Sequence, residues 1–127
     1  MRLLLDTHIL LAYIERRTQS FTAGTRRLLE DPTGEFLVSV ANLWEIAIKH
    51  RLGKLQLAPS LQMLPDLIDA MNMELLPITA RHVLAAVEPE PFTRDPFDRL
   101  LLAQCQIEDL RLITVDRAIV SHPLAAR

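Results

Sequence analysis

Residues 3–8, Leu-Leu-Leu-Asp-Thr-His, decide how the chain is expected to fold. The three leucines predict a short buried strand over Arg2–Leu5, and Asp6 or Thr7 can begin a helix immediately after it. Similar apolar runs alternate with helical patterns along the whole sequence, which is typical of an α/β domain with a mostly parallel sheet. Asp6 is therefore expected at the carboxyl end of a strand, where such folds bind their ligands.

The remaining elements continue this alternation over a single domain, residues 1–127. Further strands are predicted over Phe36–Val38, Glu74–Ile78 and Arg111–Thr114, and the tail from Ser121 is ambiguous between a fifth edge strand and irregular structure. Helices are predicted from Asp6 or Thr7 to about Glu15, over Thr22–Leu29, from Val40 to about Leu52, over Ser60–Met73 with a kink or later start at Pro65, and over Thr79–Val87. A last helix contains Asp98 and begins after Asp95.

The helix from Val40 to about Leu52 has the clearest apolar periodicity. Its stripe of apolar residues is expected to face the core, with Trp44 buried, and Glu45 and Lys49 share the other face. The members of the stripe are Val40, Leu43, Trp44, Ala47 and Ile48. Gly53 is placed to end the helix in a left-handed conformation.

Composition and charge narrow the class of protein. Half of the residues are apolar, enough for a core without disulfides, and the one cysteine, Cys105, is expected to be a buried hydrophobe in a reducing cytosol. No apolar segment approaches the roughly 20 residues that cross a membrane, and no signal peptide is visible, so a cytoplasmic protein is expected. The net charge of −2 argues against a general nucleic-acid coat. It leaves room for an enzyme that binds a few phosphates through a metal and local arginines such as Arg94 and Arg99, although a solvated or salt-bridged role is the simpler expectation for both.

Four acidic residues are expected at one edge of the sheet: Asp6, Glu45, Asp98 and Asp116. Crowded carboxylates repel each other unless a cation lies among them, and hard ions such as Mg²⁺ or Mn²⁺ prefer oxygen ligands. Each acid also has a simpler interpretation. Asp6 and Asp116 can cap helices, and Glu45 can form a surface i, i+4 pair with Lys49. Their common position at one edge favours a metal site.

Asp95 and Asp98 are distinguished by their positions around Pro96. Proline suits the first position of a helix, which makes Asp95 the N-cap residue and Asp98 the third helical residue. We therefore expect Asp95 to cap the helix and Asp98 to face the ligand.

Several strings of the sequence, taken in order, carry a resemblance to a known family. They are Leu3–His8, Ser39–Lys49 with Leu52–Leu55, Leu76–Ile78, Arg94–Gln104 and Leu112–Asp116. The chain resembles the PIN-domain ribonucleases, specifically the VapC-type toxins of prokaryotic toxin–antitoxin pairs. The resemblance covers nearly the whole chain, and it departs at Pro123–Arg127, where a hydrophobic final strand is expected and is not found.

The resemblance implies a three-layer α/β/α fold with a parallel sheet of about five strands. It implies Mg²⁺- or Mn²⁺-dependent endonucleolytic cleavage of RNA, inhibition by a small cognate antitoxin, and a homodimer. Carried over by position, Asp6 and Asp98 hold the main metal, Glu45 binds a water of the metal or acts as base, and Asp116 serves a second, weaker ion or orients the first.

The exposed apolar residues expected to contribute to an interface are Leu55, Leu57, Leu61, Met63 and Leu64, and about half of them could instead complete the core.

Two other functions are considered. A haloacid-dehalogenase-like phosphatase also begins with a strand and an aspartate, but it needs a second aspartate where this chain has His8. A catalytically inactive PIN-like binding module would keep the fold without the reaction, and the complete set of acids argues against it.

Overall fold

In a computed structural model that describes residues 1–127, four strands and six α-helices alternate along the chain. The strands are β1 (Arg2–Leu5), β2 (Glu35–Ser39), β3 (Glu74–Leu76) and β4 (Arg111–Ile113). The helices are α1 (Thr7–Ile14), α2 (Ala23–Glu30), α3 (Val40–Arg51), α4 (Leu64–Ala70), α5 (Ala80–Leu84) and α6 (Pro96–Glu108). No helix combines the length and the apolar character that a membrane span requires.

All strand pairs are parallel, and the order across the sheet is β3-β2-β1-β4. The sheet has four strands where about five were expected, because the tail forms only an isolated bridge between Leu112 and Ala125. The Leu112 N–H donates to the Leu124 carbonyl, and the Ala126 N–H donates to the Leu112 carbonyl. The pairing does not extend further back along the tail, because the Leu110 N–H donates to the Cys105 carbonyl and the Leu124 N–H donates to the His122 ring.

Successive residues of β1 pack into two separate cores, as the alternation of side chains along a strand requires. Leu3 and Leu5 share one core with buried residues of α1 and α4, and Leu4 shares the other with buried residues of α6. Helices therefore cover both faces of the sheet, in the three-layer α/β/α arrangement that the resemblance implied. Cys105 lies in the second core as expected, and burial raises the pKa of its thiol to about 12.

Most predicted boundaries agree with the structure to within one or two residues. The predicted helix over Ser60–Met73 takes the later start: a 3₁₀ turn at Leu61–Met63 precedes α4, which has Pro65 in its first turn. Helix α5 ends at Leu84, earlier than the predicted Val87, because Ala85 adopts an extended conformation.

The apolar residues expected at an interface mostly complete the core instead. Leu64 is fully buried, and Leu55, Leu57 and Leu61 are partly buried against the α1 side of the sheet. Only Met63 is largely exposed.

The orientation predicted for α3 is wrong. Trp44 is 57% exposed, and the residues of this helix that are buried include Asn42 and Glu45. The polar face can point inward because its side chains have buried hydrogen-bond partners. The Asn42 amide donates to the Thr7 hydroxyl and accepts from the Ser39 backbone N–H, completing the cap of the helix.

Candidate active site

A pocket of about 400 Å³ opens at the carboxyl edge of the sheet, where β1 leads into α1 and β2 into α3. We refer to it as the carboxylate pocket because five acidic side chains line it: Asp6, Glu45, Asp95, Asp98 and Asp116. All four acids predicted for one edge of the sheet are therefore brought together, and Asp95 joins them.

Asp6 is held at the junction of β1 and α1. Its backbone N–H donates to the Ile113 carbonyl, which ties it to the neighbouring strand β4. One carboxylate oxygen accepts from the Thr7 N–H at 2.8 Å, and the other accepts from the Thr114 hydroxyl at 2.6 Å. Burial raises the pKa of Asp6, and the charges of Glu45 and Asp116 raise it further, against the lowering effect of the two hydrogen bonds.

Glu45 has a hydrogen-bond partner for each of its carboxylate oxygens. The Thr7 hydroxyl donates to one at 2.6 Å, and the Lys49 ammonium group donates to the other at 2.6 Å. The predicted i, i+4 pair with Lys49 is therefore confirmed, but it is not a surface pair, because Glu45 is only 6% exposed and lines the pocket. Glu45 thus pairs with Lys49 and lines the pocket at the same time.

Asp95 and Asp98 take the positions predicted around Pro96. One oxygen of Asp95 accepts from the Phe97 and Asp98 N–H groups at 2.8 and 3.3 Å, so Asp95 caps α6. Asp98, in the first turn, is buried and accepts only the Thr93 hydroxyl at 3.2 Å. Asp95 nevertheless remains at the pocket wall as well.

The pKa of Asp98 is raised to about 7. Burial is the largest cause, followed by the negative charges of Asp6, Asp95 and Asp116, while the Thr93 hydroxyl lowers it slightly. A carboxyl group with so high a pKa gains most from a nearby cation, which stabilises the ionised form.

Asp116 lies at the exposed side of the pocket, after β4. One of its oxygens accepts from the Ala118 N–H at 2.8 Å, and its own N–H donates to the Thr114 hydroxyl. Asp116 therefore caps a local turn and not the expected helix. Its second oxygen accepts no hydrogen bond from the protein.

The pocket offers the donors that a hard divalent ion prefers. Asp95, Asp98 and Asp116 each have one carboxylate oxygen that accepts no hydrogen bond from the protein. All the acidic residues of the pocket would bind an ion through oxygen atoms. No three His, Cys, Asp or Glu side chains stand in an arrangement that would already hold a metal ion. The residues therefore fit such an ion by their chemistry and charge without a preformed coordination shell.

Sequence reasoning missed the hydrogen bonds that organise these acids. Thr7, Thr114 and Thr93 donate hydroxyl hydrogen bonds to Glu45, Asp6 and Asp98, respectively. A threonine after a strand gives no distinctive signal, and Thr7 and Glu45 are 38 residues apart. Of the arginines considered for phosphate, Arg99 is turned away: its guanidinium group donates to the Thr93 carbonyl and pairs with Glu90.

This combination defines a class of protein: a doubly covered parallel α/β domain with a pocket of carboxylates at the carboxyl edge of its sheet. A model of the PIN domain matches residues 3–122, and the chain belongs to the PIN-domain family. Members of this family are generally nucleases that use divalent metal ions.

One solved structure similar to the chain is the crystal structure of VapBC2 from Rickettsia felis bound to a DNA fragment from their promoter. The match has a TM-score of 0.62 and 16% sequence identity, and it covers 98% of this chain and 96% of that one. At this identity the likeness supports the fold alone. A search of curated proteins finds no match.

Proposed function

We propose that the protein is a metal-dependent endoribonuclease toxin that cleaves RNA phosphodiester bonds in the cytoplasm and is inhibited by a cognate antitoxin. The observation that carries the proposal is the convergence of five acids on one pocket, with the pKa of Asp98 raised to about 7 by burial and by its acidic neighbours. Membership of the PIN-domain family supports a nuclease.

Within the pocket, Asp6 and Asp98 would hold Mg²⁺ or Mn²⁺. When bound, such an ion supplies Lewis-acid stabilisation of the phosphate and a more acidic water. Thr7 and Thr114 hold the Asp6 carboxylate in place through both of its oxygens. Glu45, fixed between Thr7 and Lys49, would orient the attacking water or accept its proton. Asp116 would serve a second, weaker ion or orient the first.

The partners in this proposal are an RNA substrate, an antitoxin and a second copy of the chain. The resemblance of the sequence to VapC-type toxins suggests the antitoxin, and the solved structure with the similar fold is that of VapBC2. RNA would reach the pocket as a single strand or loop, where its backbone is accessible.

The direct test is cleavage of RNA with and without EDTA, beside hydrolysis of p-nitrophenyl phosphate. Cleavage of RNA that EDTA abolishes is expected. Hydrolysis of the small phosphate ester without RNA cleavage would favour a phosphatase of the haloacid-dehalogenase kind, and neither activity would favour an inactive binding module.

Metal binding itself is tested by thermal melts. Mg²⁺ or Mn²⁺ should raise the melting temperature of the unmodified chain, because the ion binds the folded state. Asp6→Asn should abolish this response while the metal-free protein stays folded. An unchanged metal response in Asp6→Asn would contradict the assignment of Asp6 as a ligand.

A further inference from the structure

Two lysines line the carboxylate pocket at the end of helix α3, and the way this helix ends brings them together. Gly53 has a φ of +73°, and its N–H donates to the His50 carbonyl. The Lys54 N–H then donates back to the Lys49 carbonyl at 2.9 Å. This pair of bonds is the Schellman ending of a helix, and it folds Lys54 back beside Lys49.

Lys49 has donors to spare after binding Glu45. Its ammonium group carries three N–H donors, of which the Glu45 carboxylate takes one at 2.6 Å. The Lys49 side chain is 47% exposed, whereas Glu45 is buried. Lys49 can therefore keep Glu45 in position and donate to a second anion at the same time.

Lys54 lines the same pocket but takes part in none of the ion pairs of the structure. An exposed lysine that lines a pocket of five carboxyl groups without pairing with one of them is available to a ligand.

The pocket needs cations of its own if it is to receive a nucleic-acid backbone. Its five carboxyl groups repel a phosphodiester, and a divalent ion would offset only part of that charge. Lys49 and Lys54 are the only lysine or arginine residues that line the pocket.

From these observations we infer that Lys49 and Lys54 form a phosphate subsite at the solvent side of the carboxylate pocket. Its ligand is a phosphodiester group of single-stranded nucleic acid, held next to the bond to be cleaved. The inference rests on the proposed function, since it places the substrate of that reaction. Lysine binds phosphate as a point charge, so the subsite adds affinity without reading sequence.

The test measures binding separately from cleavage. Asp98→Asn protein, which keeps both lysines and is expected not to cleave, is titrated onto a labelled single-stranded RNA at fixed magnesium and increasing NaCl, with fluorescence anisotropy as the readout. Lys49→Met or Lys54→Met in this background should weaken binding severalfold. Each should also reduce the slope of log Kd against log salt by up to about 0.7, the value for one single-strand phosphate contact.

Matched variants separate a phosphate contact from a structural effect. Arg51→Met removes an exposed cation from the same end of α3 that does not line the pocket, and it should leave the salt slope unchanged. Lys49→Arg should restore most of the slope lost in Lys49→Met. Lys54→Met breaks no ion pair, so its melting temperature should stay unchanged while its binding weakens.

The outcomes distinguish this inference from the proposed function. If the Asp98→Asn protein binds RNA and both lysine variants keep its salt slope, the subsite is overturned and an RNA substrate remains. If the unmodified chain does not cleave RNA and the Asp98→Asn protein does not bind it, the proposed function fails and the subsite fails with it. A single-stranded DNA of the same sequence should lose affinity in parallel, and a loss confined to RNA would overturn the assignment to phosphate.

Discussion

Glu45 and Asp98 are two acids in closely similar settings that differ in their partners. Each follows an aromatic residue on a helix at the sheet edge, and the rings of Trp44 and Phe97 meet edge to face with centroids 5.5 Å apart. Glu45 is 6% exposed and Asp98 is 7% exposed. Glu45 has a lysine and a threonine as partners, whereas Asp98 has only a threonine and faces three other carboxyl groups.

Equal burial therefore does not give the two acids the same role. Glu45 comes with its own cation, so its charge is balanced within the protein. Asp98 lacks one, and burial together with three neighbouring carboxyl groups raises its pKa to about 7. An external cation should therefore interact more favourably with Asp98 than with Glu45.

The largest effect is expected from Asp98→Asn on cleavage. The amide keeps the shape of the side chain but removes the charge that would hold the metal, so cleavage should fall about a hundredfold or more, which corresponds to roughly 3 kcal/mol of lost stabilisation. Initial rates on a labelled RNA measure it, with circular dichroism to verify the fold. An Asp98→Asn protein as active as the unmodified chain would remove Asp98 from the site.

A second prediction concerns the pH dependence of stability in the metal-free protein. Because the folded-state pKa of Asp98 lies near 7 and its ordinary value is 3.8, the folded state keeps a proton between about pH 4 and 7 that the unfolded chain has released. Stability should therefore fall as pH rises through this window and level off above it. The raised pKa of Asp6 acts in the same direction.

Asp98→Asn should remove much of this slope and stabilise the metal-free protein at pH 8 by a few kcal/mol at most, since a tenfold change in proton affinity corresponds to about 1.4 kcal/mol. Urea melts in EDTA at pH 5 and pH 8 provide the measurement. The exposed Asp69→Asn is a suitable control and should change neither value. An unaltered pH slope in Asp98→Asn would mean that other groups cause it.

The features that the sequence predicts correctly are those that depend on neighbouring residues. The run of leucines before Asp6 gives β1 its correct bounds, and the Asp95-Pro96 pair gives the cap of α6. Gly53 gives the left-handed end of α3. In each case the signal and the structure lie within a few residues of one another.

The features that the sequence did not predict, the orientation of α3 and the threonine partners of the acids, depend on residues far apart in the chain. The apolar stripe of α3 predicted a buried Trp44, but Thr7 offers partners to Asn42 and Glu45 and lets the polar face turn inward. Thr7 lies 35 residues from Asn42, and Thr114 lies 108 residues from Asp6. Apolar periodicity does not detect such long-range pairings, so the positions of the acids and the pair of Glu45 with Lys49 were predicted, but the threonine partners were not.

A third prediction separates the two roles of Asp95. Asp95→Ala removes the acceptor for the Phe97 and Asp98 N–H groups and should cost about 0.5–2 kcal/mol of stability, whereas Asp95→Ser should recover most of it. Both variants remove a charge that raises the pKa of Asp98, so both should lower that pKa. Urea melts and an NMR titration of Asp98 measure the two effects. A cleavage-deficient Asp95→Ser protein would show that Asp95 acts beyond the cap.

The fourth prediction concerns the turn that places Lys54. Gly53→Ala puts a Cβ at a φ of +73°, where nothing lies within 4 Å, so the cost is conformational and should be about 1 kcal/mol. Gly24→Ala, in the helical conformation of α2 and equally free of clashes, should instead stabilise by about 0.4–1 kcal/mol. Thermal melts of the pair test the sign. Equal effects of the two substitutions would contradict the role assigned to the left-handed turn.

The smallest effect on stability is expected from Glu45→Gln, which should destabilise the protein slightly, whereas Asp98→Asn should stabilise it. The amide oxygen can still accept from the Thr7 hydroxyl, but Lys49 loses its carboxylate, and the loss should be about 0.5 kcal/mol because Lys49 is half exposed. The pKa of Lys49, raised chiefly by its hydrogen bond to Glu45, should fall. A double-mutant cycle with Lys49→Met isolates the pair. If Glu45→Gln stabilised the protein as Asp98→Asn is expected to, Glu45 would be as unbalanced as Asp98, and Lys49 would no longer account for the difference between the two acids.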